Sequence, residues 1–403
     1  MEEGSALYPC FARADLSFDH GEGIWLTASD GRRYLDCATG IAVTALGHSH
    51  PRLVDALVRQ ARKLWHVSNA FRIPEQERLA RRLCDETFAD RVFFSNSGAE
   101  ALETAIKTAR RYHFVNGRPE RWRLLTFEGG FHGRTLATIA AGGQSRYLEG
   151  FGPPVDGFDL VPFGDLGALA AACGPETAGI LIEPIQGESG VRALSAEILA
   201  GIRDLCNRMG LLLILDEVQT GIGRMGHLFA YQATDVKPDI LASAKGLGNG
   251  FPVAACLATE AAAAGMAPGT HGSTFGGNPL AMVVASEVLD VILEPGFLDR
   301  VHSNGERLRG GLDALTAEFP HLFEGTRGEG LLLGLKCRRP VRGVAQTARM
   351  HGLLTVVAGN EVLRILPPLT ITNAEVDEAL ARLRQTALSL TNAVRSQAPG
   401  GDA

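Results

Sequence analysis

The 403-residue chain lacks any charge-free apolar stretch of about 18 residues, so the sequence predicts no membrane span. It also lacks a run rich in lysine and arginine, and its formal net charge is −6. Nucleic acid and acidic membrane surfaces are therefore poor partners on electrostatic grounds. The N-terminus has neither the basic start nor the apolar core of a secretory signal peptide, so we expect a cytoplasmic protein.

A disulfide framework and a metal site are also not indicated. The seven cysteines are scattered, odd in number and form no CxxC pair, which favours free thiols in a reducing cytoplasm. His48 and His50 form an H-x-H pair, but no third ligand can be identified, so we predict a structural role and no metal. The sequence shows no internal repeat and no linker-like break. With 45% hydrophobic residues it can fill a core large enough for two domains.

Two apolar runs each end at a residue that can carry chemistry. Residues 211–215 lead to Asp216, and residues 240–244 lead to Lys245, with glycine at three of the next five positions. Such runs are typical of parallel strands buried on both faces, and the glycines let the backbone pass close to a ligand. An acid and a lysine at the ends of two sheet strands suit pyridoxal phosphate. The lysine can bind the aldehyde covalently, and the acid can keep the pyridine nitrogen protonated.

Two simpler interpretations compete with this one. A buried strand followed by Asp-Glu also occurs in nucleotide hydrolases, but those need a G-x-x-x-x-G-K-[ST] loop, and the sequence contains none. A single lysine is usually a solvated surface residue. The position of Lys245 between an apolar run and three glycines favours the cofactor role.

The chain resembles the class III, fold-type I pyridoxal-phosphate aminotransferases in the strings DEVQTGIGRMGHLFA, SAKGLGNGFPVAACLA and HGSTFGGNPLA. The resemblance runs in the family's order from YLDCATGIAV to LRILPPLTIT. It implies an α/β fold with a large, mostly parallel seven-stranded sheet, helices on both faces, and a small α+β domain. We expect residues 1–50 to contribute to the small domain, 51–294 to form the large cofactor-binding domain, 295–395 to complete the small domain, and 396–403 to form a disordered tail.

The same resemblance implies the contacts of pyridoxal 5'-phosphate. Lys245 would bind it covalently, Asp216 would support its ring nitrogen, and Gln219 would contact its ring hydroxyl. Gly98 and Ala99 begin a predicted helix, where free N–H groups can hold a phosphate, although an ordinary helix cap fits the same residues. The expected cofactor contacts are Gly98, Ala99, Phe131, Asp216, Glu217, Val218, Gln219, Lys245 and Thr274.

Four expectations concern loops. Phe131 could be a plain core residue, but in the family this aromatic stacks on the pyridine ring. For His132 the sequence offers no nucleophile to serve, so we predict local packing or loop support. Thr274 in the family reaches the phosphate of the neighbouring subunit, which implies at least a homodimer with shared active sites. Residues 145–175 are rich in glycine and proline and are expected to form a connecting excursion.

Four residues are expected to contact the substrates. Arg134 is either a surface arginine or a bidentate carboxylate clamp, and the resemblance favours the clamp. Related ω-aminotransferases use a glutamate, here Glu188, as a switch that pairs with an arginine, here Arg364. Glutamate brings two carboxylates and needs that second arginine, whereas an acyl-ornithine brings one, so the arginine is then better neutralised. Ser273 is a further candidate.

The resemblance is greatest to the branch of the family that acts on N-acetylornithine. Enzymes that take free ornithine carry a tyrosine for the α-amine where this chain has Ile41, which favours a substrate with a blocked α-nitrogen. The implied partners are an amino donor and 2-oxoglutarate. The alternatives are an ω-aminotransferase for succinylornithine, N-succinyl-diaminopimelate, ornithine or 4-aminobutyrate, a pyridoxal-phosphate aminomutase or epimerase, and a non-catalytic protein of the same fold.

Overall fold

The computed structural model describes residues 6–397. Its strands in chain order are β1 (Phe18–Glu22), β2 (Trp25–Ala28), β3 (Arg33–Asp36), β4 (Arg91–Ser95), β5 (Arg123–Phe127), β6 (Phe158–Val161), β7 (Thr177–Ile182), β8 (Ile185–Gln186), β9 (Arg192–Ala193), β10 (Leu212–Asp216), β11 (Ile240–Ser243), β12 (Ala254–Ala258), β13 (Phe323–Glu329), β14 (Leu332–Cys337), β15 (Leu353–Leu354), β16 (Val356–Ala358) and β17 (Val362–Ile365).

The helices are α1 (Thr39–Ala42), α2 (Pro51–Ala61), α3 (Pro74–Asp85), α4 (Gly98–Val115), α5 (Leu136–Gly142), α6 (Ser145–Leu148), α7 (Leu166–Ala172), α8 (Ala196–Met209), α9 (Glu260–Ala263), α10 (Pro279–Ile292), α11 (Phe297–Glu318), α12 (Val341–Met350) and α13 (Asn373–Gln397). Short 3-10 helices span Ala230–Ala233 and Lys245–Leu247. The expected tail of residues 396–403 overlaps the end of α13, and its residues 398–403 lie outside the described part of the chain. Within that part, no helix combines the length and the apolar character that a membrane crossing requires.

The main sheet has seven strands in the order β4-β12-β11-β10-β7-β5-β6. Only β12 runs antiparallel to its neighbours, and the other pairs are parallel. The predicted fold class, a large and mostly parallel sheet in an α/β protein, is therefore confirmed. Parallel strands place their carboxyl ends at one edge, and that edge is where ligands bind in open α/β sheets.

Strand β10 shows why the central strands are continuously apolar. Leu212 and Ile214 point to one face and pack in a cluster with residues of α4, whereas Leu213 and Leu215 point to the other face and share a cluster with residues of α8. Because helices cover both faces, no position in the strand can be polar until it ends at Asp216. Burying each such leucine or isoleucine stabilises the fold by roughly 1.5–3 kcal/mol.

Residues 145–175 do more than connect, so that prediction is wrong. They contain α6, β6 and α7, and β6 pairs in parallel with β5 as the last strand of the main sheet. An edge strand has one neighbour and partial exposure, so it needs no continuous apolar run. The glycines and prolines of this region lie on either side of β6, so the composition of the region does not indicate a strand.

Three smaller sheets accompany the main one, and the smallest is the antiparallel pair of β8 and β9. Strands β1, β2 and β3 form an antiparallel meander, and β15 joins β3 in parallel. Strands β13, β14, β17 and β16 form an antiparallel sheet near α11, α12 and α13. The N-terminal strands thus share a sheet with a strand from beyond residue 295. The boundaries at residues 50 and 294 remain predictions.

A buried arginine ties the loop after β10 to the C-terminal part of the chain. Arg224 is 2% exposed, and its Nη1 donates hydrogen bonds to the carbonyl oxygens of Leu331 at 3.2 Å and Pro367 at 2.5 Å. Burial lowers the pKa of Arg224 to about 10. These bonds fix the C-terminal part against the sheet edge that carries Asp216.

Candidate active site

A cavity of about 390 Å³ opens at the carboxyl edge of the main sheet, beside the start of α4. It gathers residues from six separate stretches of sequence, as expected for a site at the ends of parallel strands. Most of the predicted site residues line it: Gly98, Ala99, Phe131, Arg134, Glu188, Asp216, Val218, Gln219 and Lys245. Arg364 lies behind this wall, and Glu217, Ser273 and Thr274 are outside it.

Lys245 follows β11 and begins a 3-10 turn on the cavity wall. Its φ of 44° lies in the left-handed region, which costs a non-glycine residue roughly 1–3 kcal/mol and is concentrated at functional sites. Burial lowers the pKa of Lys245 to about 8, and the positive charge of Arg364 acts in the same direction. The amine therefore loses its proton near neutral pH more readily than a surface lysine, which suits a nucleophile and a base.

Asp216 ends β10 and is held by two donors. The Nδ1 of His132 lies 2.8 Å from its Oδ2, and the backbone N–H of Val218 donates to its Oδ1 at 3.0 Å. Both side chains of the His132–Asp216 pair are buried. Of the two predicted roles of His132, local packing is wrong, because the imidazole contacts the distant Asp216, the predicted cofactor acid, and loop support remains a prediction. The two residues are 84 positions apart, so no local sequence pattern links them.

Replacing His132 with leucine should lower kcat/KM about 10- to 100-fold, since a hydrogen bond to a charged group contributes about 1.5–3 kcal/mol. His132→Asn keeps an N–H donor near Asp216 and should lose less. Steady-state kinetics of both variants, with melting temperatures as a folding control, make the comparison. A His132→Leu protein with wild-type kinetics would show that Asp216 needs no such support.

The start of α4 has both features predicted for it, an ordinary helix cap and free N–H groups that could hold a phosphate. Ser97 caps the helix by accepting the N–H of Glu100. The N–H groups of Gly98 and Ala99 have no hydrogen-bond partner among the described residues, and both residues line the cavity. A Cβ at position 98 would lie 2.9 Å from Cγ1 of Val218, so glycine lets that side chain pack against the helix start. The two free donors suit a phosphate.

Arg134 places a cation at the mouth of the cavity. Its guanidinium lies 3.8 Å from the ring centroid of Tyr147 and 5.5 Å from that of Phe131. Within the described residues its N–H groups have no carboxylate or carbonyl partner, so the fork is available to a ligand. Stacking on Tyr147 orients the guanidinium plane and lowers the entropy that is lost when a carboxylate binds.

Glu188 and Arg364 form the expected ion pair, with Oε1 and Nη2 separated by 2.7 Å. Arg364 is completely buried in β17, and its Nη1 also donates to Oε1 of Gln219 at 3.2 Å. A Cβ on Gly187 would lie 1.7 Å from that amide oxygen, so only glycine allows this approach. A buried cation is costly to leave unpaired, and Arg364 has one carboxylate partner. A carboxylate of a ligand could therefore take the place of Glu188 on Arg364.

Glu217 does not face the cavity, contrary to its expected cofactor contact. Its carboxylate accepts the backbone N–H groups of Ala230 at 2.6 Å and Tyr231 at 2.9 Å, and the hydroxyl of Thr220 at 3.0 Å. Adjacent residues at a strand end point to opposite sides, so Glu217 is directed away when Asp216 faces the ligand. Burial raises the pKa of Glu217 to about 7. Its position indicates a structural role.

Ser273 and Thr274 belong to a loop beside the cavity. The hydroxyl of Ser273 accepts the N–H of Gly276 at 3.0 Å and lies 3.2 Å from Nδ2 of Asn96. Thr274 is exposed and does not line this chain's cavity. Their substrate and cofactor contacts remain predictions.

The predicted H-x-H pair behaves as two separate side chains. His48 contacts the carboxylate of Asp36 at 2.8 Å, which is a local structural bond, and burial lowers the pKa of His50. Among residues 6–397 no group of three or more His, Cys, Asp or Glu side chains is arranged to hold a metal ion.

The cavity's donor set fits pyridoxal phosphate. A lysine amine, a carboxylate for a ring nitrogen, two free N–H groups for a phosphate and an aromatic side chain for a planar ring line one wall (Lys245, Asp216, Gly98, Ala99, Phe131). No residue on that wall contradicts the assignment. This combination is also rare in a nucleotide or metal site, which needs other donors.

Comparison with known proteins places the chain in a family. The model of the class-III aminotransferases matches residues 11–387. The acetylornithine aminotransferase of Mesorhizobium japonicum is 62% identical over 391 residues, covering 97% of this chain and 98% of that protein, and the enzyme of the same name from Agrobacterium fabrum is 59% identical over 390 residues, covering 97% and 98%.

Solved structures agree. The ornithine aminotransferase of Toxoplasma gondii superposes with a TM-score of 0.92 at 33% identity, covering 96% of this chain and 93% of that one. The N-acetylornithine aminotransferase of Stenotrophomonas maltophilia gives 0.83 at 38% identity, covering 95% and 98%. The chain therefore belongs to the class-III aminotransferases, and its family implies pyridoxal phosphate as the cofactor of this enzyme.

Proposed function

We propose that the enzyme transfers the terminal amine of N2-acetyl-L-ornithine to 2-oxoglutarate, giving N-acetyl-L-glutamate 5-semialdehyde and L-glutamate. One observation carries the proposal: of two arginines at the cavity, Arg134 is open and Arg364 is neutralised by Glu188. A donor with a single distant carboxylate needs one open arginine, and a five-carbon dicarboxylate needs two. The names of the relatives from Mesorhizobium japonicum and Agrobacterium fabrum support the same substrate.

Binding of the cofactor is assigned to the cavity wall. The N–H groups of Gly98 and Ala99 would hold the phosphate, Phe131 and Val218 would enclose the ring, and Gln219 would contact the ring hydroxyl. Asp216, fixed by His132, would present a negative charge to the ring nitrogen. When bound, pyridoxal phosphate supplies an electron sink for the carbon that bears the transferred amine.

Proton transfer is assigned to Lys245. Its Nζ would bind the cofactor covalently in the resting enzyme and would be set free when the terminal amine of the substrate takes its place. The amine of Lys245, whose pKa burial lowers to about 8, would then act as the base that takes the proton from the carbon bearing the transferred nitrogen and as the acid that returns it. In the second half-reaction the proton would be transferred in the opposite direction, so Lys245 would serve as both base and acid.

Discrimination between the two substrates is assigned to Glu188. With the acylated donor bound, Arg134 takes its carboxylate, and Glu188 stays on Arg364. With 2-oxoglutarate or glutamate bound, the second carboxylate takes the place of Glu188 on Arg364. The exchange keeps the buried guanidinium paired in both half-reactions, which avoids the cost of an uncompensated buried charge.

We infer that the enzyme works as a homodimer with shared active sites. The loop that carries Thr274 is bordered by exposed apolar side chains, among them Phe275 at 62%, Trp65 at 65% and Phe71 at 68% exposure. Such an apolar surface next to an exposed site residue suits a second copy of the chain. All seven cysteines are free, which supports a reducing cytoplasm.

The absorption spectrum of the purified enzyme with pyridoxal phosphate tests the proposal. We expect a visible band from the lysine-bound cofactor, its loss when N-acetylornithine alone is added, and its return with 2-oxoglutarate. A band that responds to succinylornithine, N-succinyl-diaminopimelate, ornithine or 4-aminobutyrate but not to N-acetylornithine would correct the substrate. A band that glutamate fails to convert would indicate an aminomutase, an epimerase or a binding protein. No band at all would refute the role of Lys245.

A further inference from the structure

A second buried acid, Glu183, stands beside Asp216 in the cavity wall. Strands β7 and β10 pair Ile182 with Leu215, and Glu183 and Asp216 are the next residues of the two strands. Neighbouring strands are about 4.8 Å apart, so the two acids are adjacent at the sheet edge. Glu183 is 8% exposed and lines the cavity.

The two acids have unequal partners. Asp216 receives His132 Nδ1 and the N–H of Val218. Glu183 receives a single hydrogen bond, from the backbone N–H of Phe131 to its Oε2 at 2.9 Å, and within the described residues no lysine, arginine or histidine forms an ion pair with it. Of two adjacent buried carboxyls, the one with fewer donors and no cation keeps a proton.

Other charges near Glu183 do not reverse this order. Burial and the negative charge of Asp216 raise the pKa of Glu183 well above its usual range, and Glu188 adds to the increase. The N–H of Phe131 and the charge of Lys245 oppose it and are weaker. The guanidinium of Arg192 donates instead to the backbone carbonyl of Glu128 and to the side-chain oxygen of Gln186.

The hydrogen bond from Phe131 gives Glu183 a task. The segment from Gly129 to Arg134 has no regular secondary structure, yet it carries Phe131, His132 and Arg134, which serve the ring, Asp216 and the substrate. Other hydrogen bonds hold the loop one and two residues before Phe131: Gln144 donates to the carbonyl of Gly130, and Ser189 donates to that of Gly129. The hydrogen bond to Glu183 fixes the N–H of Phe131 itself.

We propose that Glu183 is a positioning residue that acts as a neutral carboxylic acid: it anchors Phe131 and leaves Asp216 as the carboxylate that faces the cofactor's ring nitrogen. The inference rests on the proposed cofactor site. A neutral acid adds no second negative charge beside Asp216, while its carbonyl oxygen still accepts the N–H of Phe131. The side-chain amide of glutamine reproduces this chemistry, and the side chain of leucine does not.

Infrared difference spectroscopy between the wild type and Glu183→Gln, without substrate and both with and without pyridoxal phosphate, tests the protonation. We expect the wild type to show the C=O stretching band of a protonated carboxylic acid that the variant lacks. A carboxylate band in its place overturns the proposal. The measurement decides the point even in a protein that fails to bind the cofactor, which would refute the proposed function separately.

The positioning role is tested on the holoenzyme by cofactor affinity and by circular dichroism in the cofactor's visible band, which reports ring orientation. Glu183→Gln should keep both within about twofold of wild type, whereas Glu183→Leu should weaken binding about tenfold and alter the dichroism, because Phe131 loses its anchor. Equal damage in both variants would show that a negative charge is required. Equal retention would show that the anchor has no role.

The pH dependence of unfolding gives a check that does not use Glu183→Leu. A carboxyl whose folded-state pKa is raised stabilises the fold most at low pH, and the stabilisation is lost as the pH rises through that pKa. Between about pH 5 and pH 8 the wild type should lose melting temperature relative to Glu183→Gln, which cannot ionise. Parallel melting curves over this range would contradict a buried neutral acid.

Discussion

Replacing Lys245 with alanine is expected to lower turnover about 10⁴-fold or more, because one substitution removes both the covalent anchor of the cofactor and the proton carrier. Loss of only one of these two roles would leave a partly working enzyme. We assign both roles to one amine, which lies on the cavity wall just after β11. Rapid mixing of the holoenzyme with N-acetylornithine measures the half-reaction directly and avoids any limit set by product release.

Lys245→Arg is the matched control for this experiment. It keeps a positive charge beside Asp216 and Glu188, yet arginine stays protonated and cannot serve as a base near neutral pH. If charge alone mattered, the arginine variant would keep much of its activity. We expect it to be as slow as the alanine variant, while both still bind pyridoxal phosphate through the phosphate site at Gly98 and Ala99. Near wild-type rates in either variant would remove Lys245 from the mechanism.

The parts of the fold that the sequence could predict are those in which one residue type satisfies one local requirement. A strand covered on both faces must be apolar along its length, so β10 and β11 are visible as runs, and their ends mark Asp216 and Lys245. The helix start at Gly98 is visible because it follows a short strand and a Ser-Asn-Ser cap. In these places local pattern and tertiary environment agree.

The parts that could not be predicted depend on contacts between distant segments. His132 contacts Asp216, which is 84 positions away, and Glu183 meets Asp216 only because β7 and β10 are neighbours in the sheet order. Glu217 shares a motif with Asp216, yet alternation at the strand end turns it away. Strand β6 was hidden because an edge strand is only partly buried. Sheet order and side-chain direction, which the sequence does not display, decided each case.

Asp216→Asn is expected to lower kcat about 10²- to 10³-fold, the usual effect of removing one preorganised electrostatic group from an active site. Asparagine has the same shape: its oxygen can accept the N–H of Val218, and its NH2 group can donate to Nδ1 of His132 when that imidazole carries its proton on Nε2, so the loop geometry is retained. It carries no negative charge and cannot keep a ring nitrogen protonated. The loss should therefore appear in kcat, with the affinity for pyridoxal phosphate less affected, and parallel measurement of both quantities checks the prediction.

The neighbouring acid Glu183 adds a second expected result for Asp216→Asn. If Glu183 is neutral, it adds no charge that could replace Asp216, and Asp216→Asn leaves this part of the wall without a carboxylate. The same substitution also removes the negative charge that helps to raise the pKa of Glu183, so Glu183 should ionise more readily in Asp216→Asn than in the wild type. Partial recovery of kcat at high pH is then expected in Asp216→Asn, and its absence in the double variant Asp216→Asn with Glu183→Gln. Recovery that persists in the double variant would assign the compensating charge to a group other than Glu183.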